Sequence, residues 1–166
     1  MQSDTPATLD REAYLPFYLS QLANAVSRGA SRVYLKLYGI GVVEWRILSV
    51  LAIQPDVFAN DICQAVGIDK AAASRCLKQL EAADLVETPA QYSEKRIRPY
   101  RLTGKGHDLH GSVLKLALHR EAILTADLTG DERTTLIALL QKLVLSLPGL
   151  DRFDDAIIDG APPPDA

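Results

Sequence analysis

The spacing of the apolar residues departs from the helical pattern in one short stretch of this chain. Before residue 85 they recur every three or four positions, which predicts helices. Two short runs, LVET (85–88) and IRPYRL (97–102), then have the pattern of strands and are joined by PAQYSEKR (89–96). Pro99 inside the second run predicts an edge strand, because proline cannot donate to a ladder. Helical spacing returns at Thr103, so the sequence predicts a mainly α fold with one small β-hairpin.

The segment GIDKAAASRCLKQLEAADLV (67–86) lies directly before that hairpin. Gly67 predicts a turn, and Asp69 is a favourable N-cap for the helix that follows it. The small and apolar side chains Ala73, Cys76, Leu77 and Leu80 share one helical face and are expected in the core. A short helix around 62–66, a glycine turn, a second helix and a hairpin are typical of a winged helix-turn-helix.

Longer helices flank this motif on both sides. The first is predicted from about Arg11 to Leu37 with Asp10 as its cap, and the last begins at Thr129 and ends at LPG (147–149). Both carry wide apolar stripes that one small domain cannot cover, so they are expected to pack against a second copy. The predicted organisation is a flexible N-terminus (1–10), a single unit (11–147) with dimerisation helices (11–40 and 103–147) around a DNA-binding lobe (43–102), and an acidic, proline-rich tail (148–166).

The charge is unevenly distributed along the chain. The net charge is −3, but residues 60–106 carry eight basic and six acidic residues, while residues 107–166 carry five basic and ten acidic ones. A local basic patch on an acidic chain is compatible with DNA binding, since salt screens charges beyond roughly 8 Å. The first residues do not have the pattern of a signal peptide, so none is expected, and the sequence has no run of 18 apolar residues. The two cysteines lie in apolar segments, which indicates buried, reduced thiols and a cytoplasmic protein without a membrane span.

Together, three segments resemble the MarR family of multiple antibiotic resistance regulators: VVEWRILSVLA (42–52), ICQAVGIDKAAASRCLKQLEAADLV (62–86) and SEKRIRPYRLTGKG (93–106). The resemblance covers roughly residues 11–147. It implies a homodimeric winged-helix transcription regulator whose terminal helices dimerise. Its two recognition helices would enter successive major grooves of a pseudo-palindromic operator, and a small ligand would bind between the DNA-binding lobe and the dimerisation helices.

The DNA contacts are expected from one face of the recognition helix and from the wing. The wing has Glu94-Lys95-Arg96 where the family usually has Asp-x-Arg, so Arg96 matches the arginine that enters the minor groove. The helix has alanines at 71 and 72 where relatives usually offer hydroxyls, which predicts fewer hydrogen bonds to bases. The predicted DNA-binding residues are Lys70, Ala71, Ala72, Ser74, Arg75 and Lys78 on the helix, and Lys95, Arg96 and Arg98 on the wing.

Aromatic residues concentrate in the first two helices, where the resemblance places an effector pocket. The candidates are Tyr14, Tyr18 and Trp45, with Arg46 and His119 to meet an anionic ligand. Aromatic packing in the core or dimer explains each residue equally well. His107 and His110 stand three apart on a helix, but no further ligand completes a metal site in sequence, so neither a metal nor a cofactor is expected.

These features lead to one main hypothesis and one alternative. The main hypothesis is a dimeric, sequence-specific DNA-binding regulator, most simply a repressor released by a small molecule such as an aromatic acid or an acyl thioester. The alternative is a winged-helix module that binds proteins rather than specific DNA, which the net acidic charge would suit. No catalytic motif supports an enzyme.

Overall fold

A computed structural model describes residues 8–92 and 97–162 of the chain. Within them, six helices and a small antiparallel sheet follow the order helix, helix, strand, helix, helix, strand, strand, helix, helix, which confirms the mainly α winged fold. The helices are α1 (Leu15–Tyr38), α2 (Val42–Ile53), α3 (Ala59–Val66), α4 (Lys70–Ala82), α5 (Gly104–Leu124) and α6 (Gly130–Ile158), and the strands are β1 (Val57–Phe58), β2 (Val86–Glu87) and β3 (Pro99–Leu102).

The core of the winged lobe lies where α2, α3, α4 and the sheet meet. Ile47 and Leu48 of α2, Ile62 of α3 and Leu77 of α4 are at most 1% exposed. Gly67 ends α3 with a φ of +71°, a left-handed conformation that glycine adopts without strain, and so permits the sharp turn into α4. Local sequence signals and burial therefore agree on the placement of the helix-turn-helix.

The sheet has the strand order β1-β3-β2, so β3 is the central strand. The prediction of an edge strand from Pro99 is therefore wrong. Pro99 is the first residue of β3, where its missing N–H interrupts no ladder, and it lies opposite Phe58. The strand β1 is only two residues long, too short to leave a recognisable period in the sequence.

The helix α1 begins at Leu15 rather than at about Arg11. A start at Arg11 would place Pro16 inside the helix, where its ring meets the preceding turn, whereas a start at Leu15 places it in the first turn. Asp10 is therefore not the helix cap. Its carboxylate instead accepts a hydrogen bond from the Glu12 N–H at 2.9 Å and closes a local turn before the helix.

The helix α6 does not end at LPG, as the sequence predicts, but runs through Pro148 to Ile158. Proline removes one backbone hydrogen bond, yet the residues that follow it keep the helical spacing. The start of α6 is as predicted, because the Thr129 and Glu132 side chains form a capping box. Much of the tail assigned to residues 148–166 is thus helical, and the apolar positions that continue the stripe are Leu147, Leu150, Phe153 and Ile157.

Length and composition would also allow α6 to cross a membrane, and its side chains are exposed in the single chain. The chain divides between Leu118 and His119 into two compact units, and the division falls inside α5. The winged lobe belongs wholly to the first unit, and α6 belongs to the second.

Candidate nucleic-acid interface

The start of α4 is fixed by its cap. The Asp69 carboxylate accepts a hydrogen bond from the Ala72 N–H at 2.8 Å, which confirms the predicted N-cap. Hydrogen bonding from Ala72, with smaller contributions from the Ala71 N–H and the positive charge of Arg75, lowers the pKa of this carboxyl. The negative cap also complements the positive end of the helix dipole. The helix that presents the candidate DNA-binding residues therefore begins at a defined residue.

We expect the replacement Asp69→Asn to lower stability near neutral pH and to have a diminishing effect in acid. The pKa of Asp69 is lower in the folded state, so its charge stabilises the fold above the ordinary carboxyl pKa. That contribution disappears as pH falls through the folded pKa. Urea unfolding of both proteins between pH 7 and pH 3 measures it. A difference in midpoint that stayed constant over this range would contradict the assignment. Asp10→Asn is the matched control, because Asp10 does not cap a helix.

Two faces of α4 have opposite environments. Ala73, Leu77 and Leu80 are each 1% exposed and pack into the core. The opposite face is open to solvent and carries three cationic side chains, and Ala72 is half-buried beside it. An exposed face that combines cations, a hydroxyl and a small side chain can contact both phosphates and base edges. Its exposed members are Lys70, Ala71, Ser74, Arg75 and Lys78.

Cys76 lies between these two faces and links α4 to α2. Its thiol donates a long hydrogen bond of 3.7 Å to Glu44 Oε1. Burial and the nearby Glu44 carboxylate raise the pKa of the thiol, which keeps it protonated and poorly nucleophilic. Cys63 is half-buried as well. This environment supports a packing role for the Cys76 thiol, and half-burial is compatible with the same role for Cys63.

Among the candidates on the wing, the structure describes Arg98. Its guanidinium lies 3.2 Å from Glu81 Oε2 on α4 and 5.7 Å from the centre of the Tyr100 ring. Hydrogen bonding to Tyr100 and the charge of Glu81 raise the pKa of Arg98. This arginine thus joins the start of β3 to α4, which the sequence does not reveal. The candidates Lys95 and Arg96, and Glu94 beside them, lie outside the described residues.

The residues predicted to wall an effector pocket each have their own contacts in the structure. The Trp45 ring stacks on His110 with a centroid distance of 4.9 Å and meets Tyr34 edge-on at 6.0 Å, and the prediction names neither partner. Burial, and then the neighbouring His107, lower the pKa of His110, so its ring is mostly neutral near pH 7. This aromatic group joins α1, α2 and α5.

The other effector candidates have different surroundings. Arg46 donates a hydrogen bond to Ser27 Oγ at 3.0 Å, which ties α2 to α1. Tyr14 and Tyr18 are 42% and 44% exposed, and His119 falls in the second unit. Among the described parts of the chain, no three His, Cys, Asp or Glu side chains form a group that could hold a metal ion.

A cavity of about 400 Å³ opens beside the C-terminal end of α4. No pattern in the sequence predicts this cavity. The ends of α1 and α4 and the first turns of α5 line it, with Tyr38 and Leu85 among its apolar residues and Lys105 and Asp108 among its polar ones. The Tyr38 hydroxyl donates to the Ser112 carbonyl at 3.3 Å across this region. The cavity therefore borders the C-terminal end of the candidate recognition helix.

Comparison with known proteins finds helix-turn-helix regulators. A model of the MarR family matches residues 38–97. A curated HTH-type transcriptional regulator of Bacillus subtilis, YdgJ, is 30% identical over 105 residues, and this match covers 63% of the chain and 64% of that relative. The chain thus spans just under two thirds of the relative's length.

Solved structures match over more of their length. A MarR/EmrR family transcriptional regulator from Acinetobacter sp. ADP1 is 33% identical with a TM-score of 0.76, and the match covers 86% of this chain and 99% of that one. The MarR family protein Rv2887 of Mycobacterium tuberculosis, solved with salicylic acid, is 26% identical with a TM-score of 0.64, at 81% and 99% coverage. S. aureus MepR, solved with DNA, shares the fold at 21% identity and a TM-score of 0.69, at 82% and 98% coverage.

Proposed function

Because the chain belongs to the MarR family of winged-helix transcription regulators that bind DNA, we propose that it is a cytoplasmic, homodimeric repressor, not an enzyme, that recognises a specific operator through α4. The observation that carries this proposal is the pair of opposed faces on α4. Its inner face is fixed in the core by Ala73, Leu77 and Leu80, while its outer face presents three cations to solvent. MepR, which shares the fold, has been solved with DNA.

The outer face suits a major groove. Arg75 is the candidate for a bidentate contact with guanine, Ser74 for a base or a phosphate, and Lys70 and Lys78 for phosphates. Ala71 and the half-buried Ala72 leave room for the groove edge and for contact with a thymine methyl group. Fewer hydrogen bonds to bases place more of the specificity on DNA shape and on the wing, where Arg96 and Lys95 are the proposed contacts in and beside the minor groove.

The dimer is supported by apolar surface that the single chain leaves exposed. Exposed large hydrophobic side chains on α1 are 37–62% exposed, and those on α6 are 37–81% exposed. Soluble proteins rarely leave contiguous apolar surface of this extent open to water, and a second copy would cover it. Two α4 helices related by a two-fold axis would meet half-sites about 34 Å apart. The exposed apolar residues are Leu15, Phe17, Tyr18, Leu19, Leu22, Val26, Leu35 and Leu37 on α1, and Leu136, Ile137, Leu139, Leu140, Leu143, Val144, Leu145, Leu147, Leu150, Phe153 and Ile158 on α6.

A small ligand would release the operator by favouring one spacing of the two α4 helices over another. The salicylic acid found on Rv2887 supports an aromatic acid as the chemical class, with an acyl thioester as the larger alternative. Within the first unit, the proposed pocket residues are Tyr14, Tyr18, Trp45 and Arg46. Arg46 is the candidate that would pair with a ligand carboxylate, in exchange for its hydrogen bond with Ser27.

The proposal is tested by selecting duplexes from a random pool with the purified protein and titrating the selected operator at several salt concentrations. We expect a pseudo-palindrome, two chains per duplex, and affinity that falls by about 10³-fold or more between 50 and 200 mM salt. Salicylate at millimolar concentration is expected to release the operator, and benzyl alcohol, which has no carboxylate, serves as the control.

Each part of the proposal can fail separately. Selection of no sequence over a scrambled duplex would overturn the DNA-binding function and favour the protein-docking alternative. One chain per duplex would overturn the homodimer. Equal effects of salicylate and benzyl alcohol would overturn recognition of an acid.

A further inference from the structure

The C-terminal end of α4 is held by the residues that begin α5. Three consecutive backbone carbonyls after α4, those of Ala83, Asp84 and Leu85, each accept one hydrogen bond. The donors all belong to two residues, Thr103 and Lys105. The Lys105 Nζ donates to the Ala83 carbonyl at 2.7 Å, and the Thr103 hydroxyl donates to the Asp84 carbonyl at 2.7 Å. The Thr103 N–H donates to the Leu85 carbonyl at 3.1 Å. We call these three hydrogen bonds the α4–α5 clamp.

The clamp acts where a helix ordinarily lacks partners. The Ala83 carbonyl belongs to the C-cap residue and has no donor within the helix, and the cation of Lys105 beside it also favours the negative end of the helix dipole. Asp84 has a φ of +59°, so the chain leaves α4 through a left-handed residue that needs support from its surroundings. The Thr103 hydroxyl also accepts from the Gly106 N–H at 3.0 Å, which orients it within the first turn of α5.

Resting on the proposed function, we infer that Thr103 and Lys105 are positioning residues for DNA recognition. The helix α4 has 13 residues and is therefore about 20 Å long. Asp69 fixes its N-terminal end and the clamp fixes its C-terminal end, so the direction of its outer face depends on both. Loss of the clamp would let the helix tilt and would misplace the side chains of Ser74 and Arg75 against the base edges. The α4–α5 clamp would also transmit any movement of α5 to α4.

Lys105 is exposed and positively charged, so direct contact with a DNA phosphate is the rival explanation of its role. The two roles differ in their dependence on salt. Removal of a phosphate contact lowers the slope of log affinity against log salt by about 1, whereas removal of a positioning contact weakens specific binding without changing that slope. The salt slope therefore separates a positioning residue from a DNA ligand.

The test uses two disrupting variants, Lys105→Ala and Thr103→Val, and two conservative variants, Lys105→Arg and Thr103→Ser. The control is Lys115→Ala, which removes an equal charge from an exposed position on α5. We expect Lys105→Ala and Thr103→Val to weaken binding to the selected operator by about tenfold at an unchanged salt slope. The conservative variants should restore binding to within about twofold, and Lys115→Ala should match the wild type.

Amide hydrogen exchange tests the clamp without DNA. The N–H groups of Ala83, Asp84 and Leu85 donate to carbonyls of the last turns of α4, and we expect them to exchange about tenfold faster in the two disrupting variants than in Lys115→Ala. Unchanged exchange, unchanged affinity or a salt slope reduced by about 1 in Lys105→Ala would each overturn the positioning role. A wild type that selects no operator would instead refute the proposed function, and exchange would still report on the clamp.

Discussion

Replacing Gly106 with alanine is expected to destabilise the winged lobe by about 3 kcal/mol, near the upper end of what overpacking costs. A Cβ atom at this position would overlap the Leu85 carbonyl oxygen and would lie 3.0 Å from the Leu85 carbonyl carbon. Both atoms belong to the backbone, so no side-chain rotation relieves the contact. The first turn of α5 would have to move away from the end of α4, which would strain or break the α4–α5 clamp.

Gly111→Ala is the matched control, because it makes the same substitution on the same helix. A Cβ atom at Gly111 meets nothing within 4 Å, so alanine should stabilise the helix by about 0.5–1 kcal/mol through its better helix propensity. Urea unfolding monitored by circular dichroism measures both variants. Equal stability of the two alanine variants would show that α5 does not approach Leu85 closely.

Replacing Arg75 with alanine is expected to weaken binding to the selected operator by about 100-fold while leaving the fold intact. A bidentate contact to a base is worth about 1–3 kcal/mol, and a homodimer would lose two such contacts. Because Arg75 is exposed on α4 and is not part of the core, its loss should not change the urea midpoint appreciably. The measurement is the ratio of affinities for the selected operator and for a scrambled duplex of the same composition.

Two further variants separate base reading from charge. Lys78→Ala should weaken binding to both duplexes to a similar degree, since a phosphate contact carries no sequence information. Arg32→Ala removes an equal charge from α1 and should preserve the ratio. If Arg75→Ala reduced both affinities equally, Arg75 would be a phosphate contact, and base reading would have to come from other residues.

Local signals in the sequence are sufficient to predict the start, the preceding turn and the buried face of the recognition helix. Asp69 caps α4, Gly67 permits the turn, and Ala73, Leu77 and Leu80 form its buried face, as predicted. Each of these features depends on neighbours within about one or two helical turns. The same holds for the capping box at Thr129, which marks the start of α6.

Features that depend on partners distant in sequence were missed or predicted wrongly. The edge-strand prediction from Pro99 is wrong because β3 has a second partner strand, β1, which has only two residues and leaves no period in the sequence. The contacts of Trp45 with Tyr34 and His110 depend on how three helices cross, which periodicity does not determine. The sequence predicts too early an end for α6, because Pro148 indicates a stop although the apolar stripe continues to Ile157.

The position of β3 between two short strands defines the base of the wing. Four residue pairs hold β3 in register, Val57 with Tyr100 and Phe58 with Pro99 on one side, and Val86 with Leu102 and Glu87 with Arg101 on the other. All four pairs lie at the base of the wing, so insertions or deletions between Tyr92 and Ile97 leave them unchanged. The segment between Tyr92 and Ile97 can therefore change in length and charge without removing these pairs or the Arg98–Glu81 ion pair, so the two parts of an operator that the wing and α4 would read can diverge independently in evolution.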